Sequence, residues 1–579
     1  MRPRRRDPGP GCYTHSLVNV SSPLFAVAAF VFIALAVSRF YAARRSRMLL
    51  ARIREDWGKP SQRPTDVAML ANHHRSRLST EGDRVPLTDR TWDDLGMDAV
   101  FQVLDRTEGT FGQQALYHRL RTIRTAEDLA AFEALVERVT TNPDERQRAQ
   151  LALARLRSAD GYDPWWLATP GVLMRQPWQI IYPLLAGAMV VMMLAVAVWP
   201  AALFALLAGF VLNITIRGLT YGRLAPLTGP FRDTFSVLAA AEALAPLSQS
   251  GNTLLGPLRA DLPKLARLQK IVQWIGRDAA TAGEVGSLIV EYLNVIFLVD
   301  VNAAYFAAGE FERCGDALFR VAGAVGEIDA AVSVASLRTG TTEWTRPQFV
   351  EPGTRVSMQD LRHPLLKDAV PNSIELAPPN GVLVTGSNMS GKTTFIRTVG
   401  VNAVLAQTIH TCFASSYQAP VLQVRTCIGR SDDLAGGKSY YLVEVEAVLA
   451  MVRASASPEP HLFLFDELFR GTNAVERIAS AEAVLAELLT DGPQRRPHLV
   501  LAATHDGELV EMLRDTYAAC HFGDDLSETG LVFSHRLHHG AATTRNAIAL
   551  LRLNGAPSAM IERALHRAEE LDLRLAHLR

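Results

Sequence analysis

Gly386 to Thr393 reads GSNMSGKT, a full match to GxxxxGK[ST], and each residue type in it suits the binding of phosphate. Gly386 and Gly391 let the backbone curl, so that the N–H groups of Ser387, Asn388, Met389 and Ser390 converge on an anion at the positive end of the helix that follows. Lys392 then reaches the β- and γ-phosphates, Thr393 and Thr394 open the helix, and the Thr393 hydroxyl suits Mg²⁺, a hard cation that takes oxygen ligands. About 70 residues on, the apolar run His461 to Phe465 ends in Asp466-Glu467. A carboxylate at that strand end holds the metal through water, which assigns Asp466 to Mg²⁺ and leaves Glu467 to deprotonate the attacking water. A third run, Leu499 to Ala503, ends in Thr504-His505, where a polar side chain senses the γ-phosphate; a capping Thr beside a surface His is the plainer alternative.

These groups need strands to carry them and a helix to close the loop. Gly381 to Thr385 is a short β-type run entering the glycine-rich loop, and the residues after it continue as a helix. Pro347, Pro352 and Gly353 mark the change from helical to strand-like sequence, so the α/β domain is expected over 346–579.

The 579 residues are 48% hydrophobic, enough for a core and too much for a disordered chain. Fifty-nine basic and fifty-nine acidic side chains cancel, so no global basic field marks a nucleic-acid partner. Cys12, Cys314, Cys412, Cys427 and Cys520 show no metal-ligand spacing and fit buried thiols.

Two stretches suggest a bilayer. Leu24 to Val37 is apolar between arginine clusters, a pattern shared by a signal peptide and an uncleaved anchor. Export would strand a nucleotide domain away from ATP, which favours an anchor over about 18–38. Ile180 to Ile216 has no charged side chain. As one helix it would reach about 55 Å, against about 30 Å of hydrocarbon, so two passes turning at Trp199-Pro200 fit. A buried soluble hairpin is the alternative. Arg39 to Arg47, Arg175, Arg217 and Arg223 place the flanks on the cytoplasmic side, predicting a multi-pass inner-membrane protein with its C-terminal domain in the cytoplasm. Gly283 to Arg313 is nearly as apolar, but Glu291, Asn294, Asp300, Asn302 and Glu310 predict a core helix instead.

TGSNMSGKTTFIRTVGVNAVLAQ (Thr385 to Gln407), RSDDLAGGKSYYLVEVEAV (Arg430 to Val448), FLFDELFRGTN (Phe463 to Asn473) and ATHDGEL (Ala503 to Leu509) resemble, in order, the ATPase motifs of the MutS family of DNA mismatch repair. LRHP at Leu361, VPN at Val370 and NGAPSAMIERA at Asn554 resemble the borders of that domain, and Asp94 to Thr122 resembles more weakly the start of the family's helical core. The resemblance implies ATP and Mg²⁺ as ligands, Asn388 at the phosphates and His505 near the γ-phosphate. It also implies Ser439 acting in trans on a partner subunit's nucleotide, hence a homodimer, and DNA as a further partner. No LSGGQ-like signature stands between Lys392 and Asp466, which separates the chain from ABC-type ATPases.

The departures are specific. Met1 to Arg90 leaves no room for a mismatch-reading domain, and no Phe-x-Glu triplet occurs there. Phe469 stands where the family has Gly, Ala474 to Arg477 (AVER) replaces its usual residues, and no aromatic for adenine stacking stands near Ala369-Val370. The Arg119 to Arg124 stretch suits either phosphate contacts with DNA or a solvated helix face.

The expected architecture is a membrane-anchored α-helical core and lever region followed by a C-terminal α/β P-loop NTPase domain of MutS/ABC-like type. Its divisions are 1–60, a helical part over 61–177, a transmembrane hairpin over 178–217, a helical lever over 218–345, and 346–579. The function this predicts is a tethered ATPase, with mismatched-DNA binding implied by the resemblance. A mechanochemical ATPase or scaffold without mismatch recognition is the alternative, and a transporter motor fits less well because the apolar stretches lack ionisable residues.

Overall fold

The structure, a computed structural model, describes residues 39–41, 43–61, 63–79, 85–157, 167, 173, 175–276, 291–377, 381–387, 389–429, 440–490, 498–527, 530–541, 548, 551–552 and 555–577. The chain divides into two compact units, 1–56 and 57–579. Of the first, 39–41 and 43–56 are helical; the expected anchor over 18–38 and Cys12 lie outside the described residues.

The second unit begins with helices α1 (Val67–Leu78), α2 (Asp89–Asp94), α3 (Met97–Leu104), α4 (Thr110–Leu120), α5 (Ala126–Thr141) and α6 (Pro143–Leu153). Thr88, Thr125 and Asn142 stand at the N-caps of α2, α5 and α6, each accepting a hydrogen bond from the N–H three residues on. Two apolar helices follow, α7 (Ile181–Val196) and α8 (Ala202–Leu224), then α9 (Thr228–Leu244), α10 (Ala266–Gly276) and the 42-residue α11 (Val299–Gly340).

Helix α11 is the axis of the helical body and packs on α4, α5, α9 and α10. It crosses α4 closely because Gly326 and Gly112 have no side chain. A Cβ at Gly326 would lie 2.7 Å from the Phe111 carbonyl oxygen, and one at Gly112 would lie 2.2 Å from Asp329 Oδ2. Asp329 in turn accepts from the N–H groups of Glu108 (2.8 Å) and Gly109 (2.9 Å), capping α4 from a neighbouring helix. Burial pushes its carboxyl up to about 8. The expected core helix is thus present over 299–313, where Glu310 is buried and paired with Arg267 and Arg313. Residues 277–290 lie outside the described residues.

Helices α7 and α8 form the expected hairpin, turning at 197–201. Pro177–Val196 and Ala202–Gln249 are long and apolar enough to cross a membrane, and a third pair, Glu291–Phe297 with Val299–Gly340, passes the same test with a 69° bend. Pro177–Val196 has 20 residues, a reach of about 30 Å. Within the chain, only Tyr182 and Met189 of α7 and Asn213 of α8 are buried.

The α/β part carries two sheets. Strands β1 (Gln348–Phe349), β2 (Val356–Leu361), β3 (Asn372–Leu376) and β5 (Ser416–Ala419) form one, in the order β1-β5-β2-β3. The other has the order β10-β9-β4-β8-β7-β6, built from β4 (Gly381–Thr385), β6 (Gln423–Cys427), β7 (His461–Asp466), β8 (Leu499–Ala503), β9 (Tyr517–Ser527) and β10 (Gly530–His539). All its pairings are parallel except β10 on β9. Strands β4 and β8 are buried at every residue, as central parallel strands covered on both faces must be. The covering helices are α12 (Lys392–Ile409), α13 (Tyr440–Ala454), α14 (Ala474–Leu488) and α15 (Gly507–Met512), with α16 (Ser558–His577) at the end. One hydrophobic core runs without interruption from Phe101 and Ile328 of the helical body to Val384 and Val399 of the α/β part.

Candidate functional site

Because β8 lies between β4 and β7, the carboxyl ends of three adjacent strands deliver the glycine-rich loop, Asp466-Glu467 and Thr504-His505 to one place. The register pairs Val384 and Asp466 with the same residue, Ala503.

The loop has the strained backbone its glycines predict. Gly386 and Gly391 have φ of +138° and +119°, and a Cβ at Gly386 would lie 3.0 Å from the Phe522 carbonyl oxygen. Gly391 is the N-cap of α12 and makes no side-chain cap, so the first N–H groups of that helix are left for an anion. Ser387 Oγ, Ser390 Oγ and Asp466 Oδ1 are buried polar atoms without a hydrogen-bond partner among the described residues. Thr393 Oγ1 donates to Asp466 Oδ2 at 2.7 Å, which brings the two expected metal ligands together. Orphaned oxygens beside open N–H groups and a hydroxyl-carboxylate pair fit a phosphate chain with a divalent cation. Lys392 Nζ donates to the carbonyls of Gly386 (2.8 Å) and Ser387 (2.9 Å), folded over its own loop.

Glu467 has φ of +56°, a left-handed conformation rare for its type, and its N–H donates to Ala503 O at 3.0 Å. Its Oε1 is paired with Arg470 and lies 2.9 Å from His505 Nε2, which is also 3.2 Å from Lys392 Nζ. Burial, then the charges of Lys392 and Arg470, lower the His505 pKa and favour the neutral ring. Nε2 can donate to Glu467 in one tautomer or accept from Lys392 in the other.

A cleft of about 630 Å³ opens beside the loop, bounded by Lys392, Thr393 and Glu467 on one side and by Leu366, Ala369 and Val370 on the other. The rings on its wall are His363, Phe395, Phe522 and His535. Phe522 and His535 were not singled out in the sequence. His535 (φ +51°) sits where the β9–β10 register shifts, its Nδ1 2.9 Å from Ser390 O, and Asn372 braces it by donating to its carbonyl at 3.0 Å. Arg470 was missed too, although its place four residues after Asp466 was a usable signal.

Asn388, Ser439 and the 430–439 stretch lie outside the described residues. Met389 is exposed, and Thr394 lines the cleft. The AVER departure contributes to the fold here, since Asn473 caps α14 through Glu476 N (3.0 Å) and Arg477 grips Asp506 with two bonds of 3.0 and 2.6 Å. The Arg119 to Arg124 stretch is not the solvated helix face expected as one alternative, since Arg119, Arg121 and Arg124 are 0%, 5% and 4% exposed, although Arg124 lines a cleft of about 610 Å³. Cys314, Cys412, Cys427 and Cys520 are free and buried as expected.

Burial holds His363 and His461 down at about 4 and His74 at about 3. Unfolded histidines take up protons near 6.5 while these do not, so the unfolded state binds more protons below pH 6.5 and stability falls with pH until the folded values are reached. The urea midpoint of the full chain is expected to drop between pH 7 and pH 4.5 by the equivalent of about 2–3 kcal/mol for each of these histidines. His461→Asn is expected to lessen that drop, and an unchanged drop would remove His461 from the account.

Fold and site together define a parallel α/β domain with a glycine-rich loop at a helix N-terminus, facing a strand-end carboxylate pair. Residues 382–572 match the family MutS domain V. The DNA mismatch repair protein MutS of Thermus caldophilus is 36% identical over 256 residues, 43% of this chain and 30% of that protein. MutS of Thermus aquaticus is 35% identical over 259 residues, and MutS 2 of Halobacterium salinarum 34% over 267, each alignment covering 44% of this chain and 30% of the relative. The chain thus spans 30% of the length of these curated relatives. What these comparisons show is a likeness to MutS domain V over residues 382–572, within a chain similar to MutS proteins over 43–44% of its length.

Proposed function

We propose that the protein is a membrane-tethered ATPase of the MutS family in which ATP binding and hydrolysis in the α/β domain move the helical body. The observation that carries this is the set of orphaned buried oxygens on Ser387, Ser390 and Asp466 around a glycine-rich loop whose helix N-terminus is uncapped. Lys392 leaves the loop carbonyls to meet the β- and γ-phosphates, and Thr393 and Asp466 hold Mg²⁺. The metal, when bound, supplies positive charge to the phosphate oxygens. Glu467 orients and deprotonates the attacking water once Arg470 and His505 release its Oε1, and His505 stays by the γ-phosphate. Ser439 reaches the partner's nucleotide in a homodimer.

The bilayer is supported by the exposed apolar faces of α7 and α8, on which Leu184, Val191, Leu194 and Phe204 are each at least 65% exposed. The hairpin crosses the inner membrane and returns, leaving the ATPase domain in the cytoplasm.

The test is to titrate the purified full chain with a fluorescent ATP analogue with and without Mg²⁺, and to ask whether the chain partitions with lipid vesicles. Magnesium-dependent retention and partitioning support the proposal; a chain that binds no nucleotide, or stays in the aqueous phase, removes it. Asp466→Asn is expected to weaken the Mg²⁺ dependence of binding about tenfold or more, because a carboxylate is exchanged for a neutral oxygen at a hard cation. An unchanged magnesium titration would move the metal site elsewhere.

Mismatched-DNA binding is a second reading, favoured by the names of the relatives. The burial of Arg119, Arg121 and Arg124 leaves little of the stretch that best suited it open to a ligand. Titration with duplex DNA at two salt concentrations decides, since phosphate contacts weaken steeply with salt.

A further inference from the structure

The last carbonyls of a helix have no partner within it and must be satisfied from outside. In α12, which begins at the phosphate loop, the donors come from the helical body. Arg124 N donates to Gln407 O at 3.2 Å, Arg119 Nη1 to Thr408 O at 3.3 Å, and Arg338 Nη2 to His410 O at 2.9 Å. Positive groups at a helix C-terminus also complement its dipole.

Carboxylates hold these cations in place. Arg119 lies between Asp128 (2.8 Å) and Glu327 (2.9 Å), the latter on α11. Arg338, in the last turn of α11, makes a two-pronged contact with Glu133 of α5, 2.7 Å on each prong. Glu133 also accepts from Arg346 at 2.6 Å and lies 3.1 Å from His410 Nδ1. Burial alone would raise the Glu133 pKa, but hydrogen bonds from His410 and Arg338 outweigh it and keep the group ionised.

The other end of α11 holds the hairpin. Asp300 accepts from Arg217 Nε at 3.2 Å, Leu298 and Val301 pack on Tyr182, and the Arg175 guanidinium lies 4.3 Å over the Tyr305 ring. Asn213 of α8 donates to Ile296 O at 2.7 Å, just before α11 begins. Helix α11, which is kinked at Cys314 (φ −136°, ψ 21°), therefore touches the hairpin at its start and the far end of the phosphate-loop helix at its finish.

We propose that the two packed segments of α11, on either side of the kink at Cys314, act together as a transmission element, and that the Arg338–Glu133 contact couples occupancy of the phosphate loop to the seating of the apolar hairpin, in both directions. This deepens the nucleotide-binding role proposed above and rests on it. Linkage makes the effect reciprocal: whatever shifts the hairpin shifts nucleotide affinity by the same factor. Arg338 and Glu133 are positioning residues, acting on the phosphates only through α12.

The test is amide hydrogen exchange on the full chain in detergent, with and without Mg²⁺ and a non-hydrolysable ATP analogue. In the unaltered protein the nucleotide is expected to slow exchange over 386–393 and to change it over 296–305 by about fivefold or more. In Arg338→Lys, which keeps the charge but loses the two-pronged geometry, protection over 386–393 is expected to persist while the response over 296–305 falls below about twofold. Glu133→Gln, nearly the same in shape, is the second variant in case the first does not fold. A simple structural prop would leave the distant response intact in any variant that still binds nucleotide. A distant response equal in variant and unaltered protein overturns the coupling, as does protection over 386–393 with no distant response at all. Absence of protection over 386–393 in the unaltered protein removes the nucleotide role, and the coupling with it.

Discussion

Glu467→Gln is expected to lower ATP hydrolysis by about 10²-fold or more while leaving nucleotide affinity within a fewfold of the original, the loss typical of removing a general base. Glutamine keeps the length of the side chain and can still accept from His505 Nε2, which now lies 2.9 Å from the carboxylate, so the strained turn at φ +56° is retained. Only the ability to take a proton is lost. The Arg470 contact loses its charge as well, so a small gain in loop mobility accompanies the loss of turnover. Single-turnover kinetics beside a binding titration separate the two effects. Turnover at the original rate would return Glu467 to a purely structural role.

Arg119→Met is expected to destabilise the protein by about 3–5 kcal/mol, the range seen when one partner of a buried ion pair is removed. Arg119 is fully buried, its guanidinium is 4.0 Å from the centre of the Phe132 ring, and its removal leaves Glu327 and the Thr408 carbonyl without their donor and Asp128 with Arg124 at 3.9 Å. Methionine fills similar volume, so the loss reports polar groups rather than a cavity. Denaturant unfolding of the full chain measures it. A change below about 1 kcal/mol would show that the junction is wetter than the structure indicates.

The site was legible where chemistry fixes spacing. GSNMSGKT, the run ending in Asp466-Glu467 and the run ending in Thr504-His505 each pair an apolar strand with a polar end, and parallel pairing carried all three to one edge. The hairpin was equally plain, because nothing charged interrupts Ile180 to Ile216. What failed was burial of charge. Arg119, Arg121 and Arg124 look like surface residues in one dimension, since the carboxylates and carbonyls that receive them arrive from as far away as Glu327 and Thr408. His535 escaped notice because a bulge in an antiparallel pair re-aims a side chain without altering the alternation around it. Asp329 as a cap on α4 was likewise invisible, being supplied by a helix more than two hundred residues away.

Phe469 has a left-handed backbone at φ +58°, its N–H donates to Glu444 Oε1 at 2.6 Å, and its ring lies edge-on to Tyr441 at 6.5 Å. A glycine there would relax the backbone but vacate a buried aromatic site lying against α13. Tolerance at 441 and 444 therefore depends on which residue occupies 469, and the three positions are tied into one unit of sequence drift. Exchange of Phe469 for glycine should be tolerated best when paired with a bulkier neighbour on α13.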